Sequence, residues 1–300
     1  MVKASDRSGV VAVEQEGRVL LRLDHPNIIG GREVIRVQGR MGVAMEFVDG
    51  PNLRRWVDDA RPPLHKVIPV FHGVVRGLLA VHDSGFVHRD LKPENILVAV
   101  DLDIPTAKIG DFGLVITSGQ RVDEVVGTPQ YMAPEQSRPP VHADPRADLF
   151  ALGCILYEMV CFRPALATHD AQGAFRLAAA RGYPRPERVT PGLPMALVDL
   201  IDVLLEPDPA KRIGDCAAVL DALDRPDLLQ RLEYRPPRGV SRHETTGWDA
   251  PVSSDAVATP SAAKERRMTE SPATWLALAL PLVLAVFGLV VALMTAASLQ

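Results

Sequence analysis

Residues 88–95 read His88-Arg89-Asp90-Leu91-Lys92-Pro93-Glu94-Asn95. Within this run stand a carboxylate, a lysine two residues on and an amide five residues on. Asp90 can accept a proton from a hydroxyl, Lys92 can neutralise charge beside it, and Asn95 can hold a metal ion. Asp111-Phe112-Gly113 and then Ala133-Pro134-Glu135 follow in order. One such tripeptide alone would carry no information; an octapeptide with two ordered companions is hard to obtain by chance. Any fold of this chain has to let these groups act together.

Composition narrows the class. Of 300 residues, 47% are hydrophobic, ample for a core, and the net charge is −4. The basic residues are scattered, so no nucleic-acid surface is expected. Cys154, Cys161 and Cys216 form no CxxC pair and have no histidine-rich surroundings. They read as reduced thiols, not as a disulfide frame or a zinc site. Charge interrupts Met1 to Asp24 throughout, which does not suit a signal peptide.

Three zones follow along the chain. Residues 1–230 alternate apolar periods with turn signals. Residues 231–272 are rich in Pro, Ser, Thr, Arg and Ala, a composition that buries too little apolar surface to offset ordering, and read as a linker. Residues 273–297 read as a membrane-spanning helix: from Trp275 to Ala297 no residue is charged. At 1.5 Å per residue this run suffices for a hydrocarbon core of about 30 Å, and membrane helices tolerate Pro281 and Gly288. Lys264, Arg266 and Arg267 precede it, which places the earlier residues in the cytoplasm. The expected location is thus a single-pass membrane protein.

Within the first zone, Glu16 to Leu23 has helical spacing, with Val19, Leu20 and Leu23 on one side, and Pro26 cannot continue it. Val34–Val37 and Val43–Phe47 are β-rich and separated by 38–42, as in a hairpin. Leu64 to His82 reads as a long helix with Pro69 in its first turns. Ala147–Val160 reads as a buried helix, and 194–205 and 215–223 as two more. Strands first and helices after make an α+β fold.

The chain resembles the eukaryotic-like Ser/Thr protein kinases that bacteria anchor in their membranes. The resemblance covers about residues 10–225. It rests on the three motifs, on Glu16 with Leu20, Leu23 and His25-Pro26-Asn27, and on Met45-Glu46-Phe47-Val48-Asp49-Gly50. It also takes in Gly127-Thr128-Pro129-Gln130-Tyr131-Met132-Ala133-Pro134-Glu135, Asp148 with Gly153, and Asp208-Pro209-Ala210-Lys211-Arg212. It implies a bilobal fold, with an N-terminal lobe remnant at 1–45 and a helical lobe at 50–230. No GxGxxG precedes residue 30, so the sheet over the nucleotide is expected to be truncated.

What the resemblance implies for single residues is specific. Asp90 orients the substrate hydroxyl and takes its proton, Lys92 neutralises the phosphoryl group, and Asn95 and Asp111 hold Mg²⁺. Lys3 is the candidate for the lysine that binds ATP and pairs with Glu16. Met45, Glu46 and Val48 frame the adenine and Leu97 closes its floor. His88 and Phe112 link the lobes through Leu20, while Gly113 completes its motif. Thr128 belongs to the substrate wall, Glu135 pairs with Arg212, and Asp148 anchors the catalytic loop. Arg89 marks kinases switched by an activation-loop phosphate. Between Gly113 and Gly127 only Thr117 and Ser118 carry a hydroxyl.

The implied partners are ATP, Mg²⁺, proteins bearing Ser or Thr, the membrane, and further copies of the chain for phosphorylation in trans. Two other readings stand beside an active kinase, both prompted by the absent glycine-rich loop. One is a membrane-anchored pseudokinase acting as a binding module; the other is a truncated remnant.

Overall fold

Backbone pairing begins at the second residue. The computed structural model describes residues 2–4, 16–37, 40–100, 105–168, 170–225 and 228, with 2–4, 37 and 40 described as backbone. Two compact units divide the chain, 1–246 and 247–300. The expected linker (231–272) and membrane span (273–297) lie outside the described residues.

Strand β1 (Val2–Ala4) and a helix over residues 16–20 (α1) precede β2 (Gly31–Val37) and β3 (Arg40–Met45). The sheet order is β1-β3-β2, antiparallel throughout, with Lys3 and Val34 both in register with Val43. β-Branched Val34, Ile35 and Val43 suit a pleated surface. The hairpin is tighter than the spacing suggests. Arg40, Met41 and Gly42 belong to β3, opposite Val37, Arg36 and Ile35, so only residues 38 and 39 separate the strands. Two-residue loops are the commonest hairpin connections, because the twist of their turns can match that of the strands. β3 stops at Met45, not at Phe47: the Glu46 N–H turns to the Gly30 carbonyl at 2.9 Å, and Phe47 is 74% exposed. α1 likewise ends at residue 20, short of Leu23. Arg22 and Leu23 donate three residues back, to Val19 and Leu20, which tightens the last turn. The expected face is nonetheless buried: Val19, Leu20 and Leu23 pack inward.

The rest is mostly helical. α2 (Leu53–Ala60) starts on Asn52, whose side chain accepts the Arg55 N–H at 3.0 Å, a regular N-cap. α3 (Leu64–Asp83) carries Pro69 in its second turn, where it withholds one N–H. By length and composition α3 could cross a membrane; instead Val67, Val70, Phe71, Val74, Val75, Leu78 and Val81 are fully buried in the core. Short strands follow: β4 (Phe86–Val87), β5 (Ile96–Ala99), β6 (Thr106–Ile109), β7 (Ile116–Thr117), β8 (Arg121–Val122) and β9 (Val141–His142), paired β4-β7, β5-β6 and β8-β9. Helices α4 (Arg146–Cys161), α5 (Ala171–Ala180), α6 (Pro186–Val189), α7 (Met195–Leu204) and α8 (Cys216–Leu223) follow. α4 is buried on every side from Ala147 to Cys161. A single apolar cluster joins the sheet, through Val43 and Met45, to the helices.

Gly153 sets how closely α4 approaches α7. A Cβ there would lie 2.8 Å from the Leu204 Cβ and 2.9 Å from the Leu205 Cδ2. Gly153→Ala should therefore destabilise the chain by about 1–3 kcal/mol, the usual cost of overpacking. Urea unfolding measures it, and an unchanged midpoint would show that the helices can part without cost.

Candidate functional site

The third residue of α4, Asp148, organises the loop that carries the motif. Its carboxylate is buried and accepts the His88 N–H at 2.8 Å, the Arg89 N–H at 2.9 Å and the His82 Nε2 at 2.9 Å. Burial alone would raise its pKa; the hydrogen bond and charge of His82 outweigh that and hold it below the ordinary value. The partial positive charge at a helix N-terminus acts in the same direction. These bonds hold Arg89 at φ 68°, a left-handed conformation that only surrounding contacts maintain.

The next residues converge. Asp90 Oδ1 accepts the Thr128 hydroxyl at 2.8 Å, and Asp90 Oδ2 accepts Lys92 Nζ at 2.6 Å and Asn95 Nδ2 at 3.1 Å. Lys92 also donates to the Thr128 Oγ1 at 2.8 Å. Thr128 reaches the loop because Gly127 passes close under it. Gly127 has φ 130°, and a Cβ there would lie 3.1 Å from the Arg89 carbonyl. Glycine alone takes that conformation without strain.

The β5-β6 ladder brings Asn95 beside Asp111. Ile96 pairs with Ile109, and the Gly110 N–H donates to the Asn95 carbonyl at 2.8 Å. Asn95 Nδ2 is committed to the Asp90 carbonyl at 2.8 Å, which leaves the amide oxygen for another partner. Asp111, exposed at φ 57°, directly follows Gly110. An amide oxygen and one carboxylate suit Mg²⁺, which keeps several waters and shares phosphate oxygens. Phe112 is buried, and its ring lies 5.1 Å from that of His88. His88 is wholly buried, with Nε2 3.3 Å from the Gly110 carbonyl; desolvation lowers its pKa and keeps it neutral. Gly113 follows in a turn before β7.

On the opposite side, Met45 and Val48 are buried, and Glu46 pairs with Lys108 of β6 at 2.7 Å. The segment after Val48 lies along β5: the Val98 N–H donates to the Pro51 carbonyl, and Asn52 bridges to Leu97, which packs on the core. Glu16 is buried in α1. Lys3 lies on β1 opposite Val43, and its side chain lies outside the described residues. Thr117 pairs with Phe86 on the β4-β7 ladder, and the Ser118 N–H bonds the Gly85 carbonyl. Both side chains are exposed, and among the described residues neither bonds to Arg89. Glu135 and Arg212 form a two-pronged pair at 2.8 and 3.0 Å, with Arg212 also stacked 5.1 Å from the Phe150 ring.

Some residues gave no sequence signal. Arg54, at the start of α2, joins Glu94 of the loop, Tyr131 of the wall and Glu158 of α4. Tyr131 also donates to Glu158 at 2.6 Å, its phenol held well above the ordinary pKa by burial beside that carboxylate. These four positions span 104 residues and no local pattern links them. The three cysteines are free and buried, and burial pushes the Cys161 thiol up to about 12.

Known proteins place this geometry. The protein kinase domain family matches residues 1–223. The chain is 30% identical over 254 residues to serine/threonine-protein kinase PknL of Mycobacterium tuberculosis, covering 81% of this chain and 62% of that protein. It is 37% identical over 218 residues to serine/threonine-protein kinase Pkn1 of Myxococcus xanthus, covering 69% of this chain and 31% of that protein. It is 34% identical over 235 residues to the DNA damage-responsive serine/threonine-protein kinase RqkA of Deinococcus radiodurans, covering 75% of this chain and 34% of that protein. The chain thus spans less than two thirds of the length of these curated relatives.

The Asp148 hub has a pH signature. Its carboxyl is depressed in the folded chain, so its stabilisation is complete above the ordinary carboxylate range and is lost as pH falls through the lower folded value. At neutral pH, Asp148→Asn should cost at least about 2 kcal/mol, since hydrogen bonds to a charged acceptor are lost. Denaturant melts at several pH values check this: the gap to wild type should narrow in acid. A gap independent of pH would exclude the ionised carboxylate as its source.

Proposed function

The chain belongs to the protein kinase family, and on that footing we propose that it transfers the terminal phosphoryl group of ATP to the hydroxyl of a protein serine or threonine. The observation that carries the reading is the Asp90–Lys92–Thr128–Asn95 constellation. Asp90 is part-buried, hydrogen-bonded on both oxygens, and positioned where the Thr128 hydroxyl already reaches it. A substrate hydroxyl arriving there would give its proton to Asp90 as its oxygen bonds to the γ-phosphorus. The bond from that phosphorus to the β,γ-bridging oxygen breaks, and ADP departs with the electron pair. Lys92, facing Asp90 and Thr128, offsets charge on the group in transit.

Mg²⁺ would supply charge neutralisation on the phosphates. The amide oxygen of Asn95 and the carboxylate of Asp111 would hold it. Met45, Val48 and Leu97 would enclose the adenine, with backbone groups of Glu46 and Val48 reading its edge. Lys3 would meet the α- and β-phosphates and pair with Glu16. A phosphate on Thr117 or Ser118 would answer Arg89 after the segment rearranges from the present β7 pairing.

Asp90→Asn should lower phosphoryl transfer about 10²–10⁴-fold, the usual contribution of a positioned base, with the fold intact. Labelled ATP with Mg²⁺ measures the transfer and circular dichroism the fold. Equal labelling of both forms would remove Asp90 from the chemistry. If neither form transfers phosphate, the chain is a binding module.

The same reading places the kinase unit on the cytoplasmic face of a membrane, held by residues 273–297. Its support is the uncharged run after Trp275 and the basic Lys264, Arg266 and Arg267 before it. A linker of about 40 residues reaches roughly 35 Å as a random coil, so neighbouring copies would meet and phosphorylate one another. Membranes washed at alkaline pH should retain the full chain, and a chain ending at residue 269 should be released. Release of both would end the anchoring reading.

A further inference from the structure

A cavity of about 160 Å³ lies beside the loop that carries Asp90, lined by both strands of the β8-β9 ladder. Its apolar walls come from separate parts of the chain: Val87 of β4, Val122 of β8, Val126, Met132 of the substrate wall, Val141 of β9 and Ala147 of α4. Arg89 of the catalytic loop also lines it.

Two of the carboxylates around the cavity are already paired. Glu135 is taken by Arg212, and Asp144 by Arg146 at 2.8 Å. Glu124 and His142 line it from exposed positions. The Arg89 guanidinium has no hydrogen-bond or ion-pair partner among the described residues. The Asp148 oxygens are already occupied by His82 and by the His88 and Arg89 N–H groups. Partial burial lowers the Arg89 pKa more than the nearby charge of Asp148 raises it.

Size and charge together select a ligand. A dry cavity of about 150 Å³ admits benzene, and a guanidinium takes a carboxylate through two parallel hydrogen bonds. We propose that this cavity binds a small aromatic monocarboxylate, its ring between Val87, Val122 and Met132 and its carboxylate on Arg89. The occupant bridges the catalytic loop to residues 121–126 and so holds that segment in the position seen here. The site shares Arg89 with the activation-loop phosphate of the proposed function, so the carboxylate would compete with that phosphate, and its test needs no ATP.

Three near-isosteric probes differ in charge: 4-fluorobenzoate, 4-fluorobenzamide and 4-fluorobenzamidine. Fluorine NMR with the purified full chain should show the benzoate signal broadening and being restored by excess unlabelled benzoate. The neutral amide should bind at least tenfold more weakly and the cation not at all. Arg89→Gln should reduce benzoate to the affinity of the amide. Val141→Trp, which fills the space, should abolish binding, and Val122→Phe should do so from the paired strand should the first variant melt early. Glu124→Gln, which removes the competing carboxylate, should tighten benzoate binding. Equal broadening by benzoate and benzamidine, or none by benzoate at about 10 mM, overturns the proposal. Binding that survives in a folded cavity-filling variant does the same.

Discussion

A buried carboxylate with three donors holds the functional half of this molecule together. Asp148 sits in the first turn of a helix that is itself enclosed on every side, so it cannot move without moving the core. From that position it takes the N–H groups of His88 and Arg89 and the ring of His82. Losing any one donor would leave a buried charge short of partners, which costs several kcal/mol. The loop that carries Asp90 is therefore attached to this enclosed helix at two consecutive backbone positions. The unusual backbone at Arg89 follows from that attachment, and Asp90 emerges from it aimed at Thr128 and Lys92.

Two further devices assemble the site from distant sequence. The β5-β6 ladder folds the chain back on itself, so that Asn95 and Gly110 share a backbone hydrogen bond and Asp111 follows at once. Gly127 lets the substrate wall pass under the Arg89 carbonyl and delivers the Thr128 hydroxyl to Asp90. Arg54 then ties the loop, the wall and α4 together through Glu94, Tyr131 and Glu158. Arg54, Tyr131 and Glu158 are buried or part-buried, where charged hydrogen bonds are stronger than in water and where a missing member leaves the others unsatisfied.

Short-range chemistry was legible in the sequence. The octapeptide carried Asp90, Lys92 and Asn95, which the fold brings into hydrogen-bonding contact, and apolar periodicity found α3, α4, α7 and α8 to within a residue or two. These elements are long and carry a strong pattern. Val19, Leu20 and Leu23 were read correctly as the inward face of α1, although the helix ends sooner. The Glu135–Arg212 pair was legible through the resemblance. Element ends were less so: β3 runs from Arg40 to Met45, because ladder hydrogen bonds and not side-chain type decide where a strand stops.

Other features belong to the tertiary structure alone. Arg54 looks like any surface arginine in sequence, and nothing local tells it that Glu158 lies 104 positions away. The same holds for the guanidinium of Arg89, unpartnered among the described residues, and for the cavity beside it, whose walls converge from residues 87 to 147. The 20-residue α3 meets the length and hydropathy of a membrane helix and is buried in the core, where its apolar faces find side chains in place of lipid. Sequence by itself determined which chemical groups this protein carries and the local geometry of its longer helices, because both depend on near neighbours. The fold decided which groups touch, which lose water and which remain unpaired, because those are set by contacts between residues far apart in the chain.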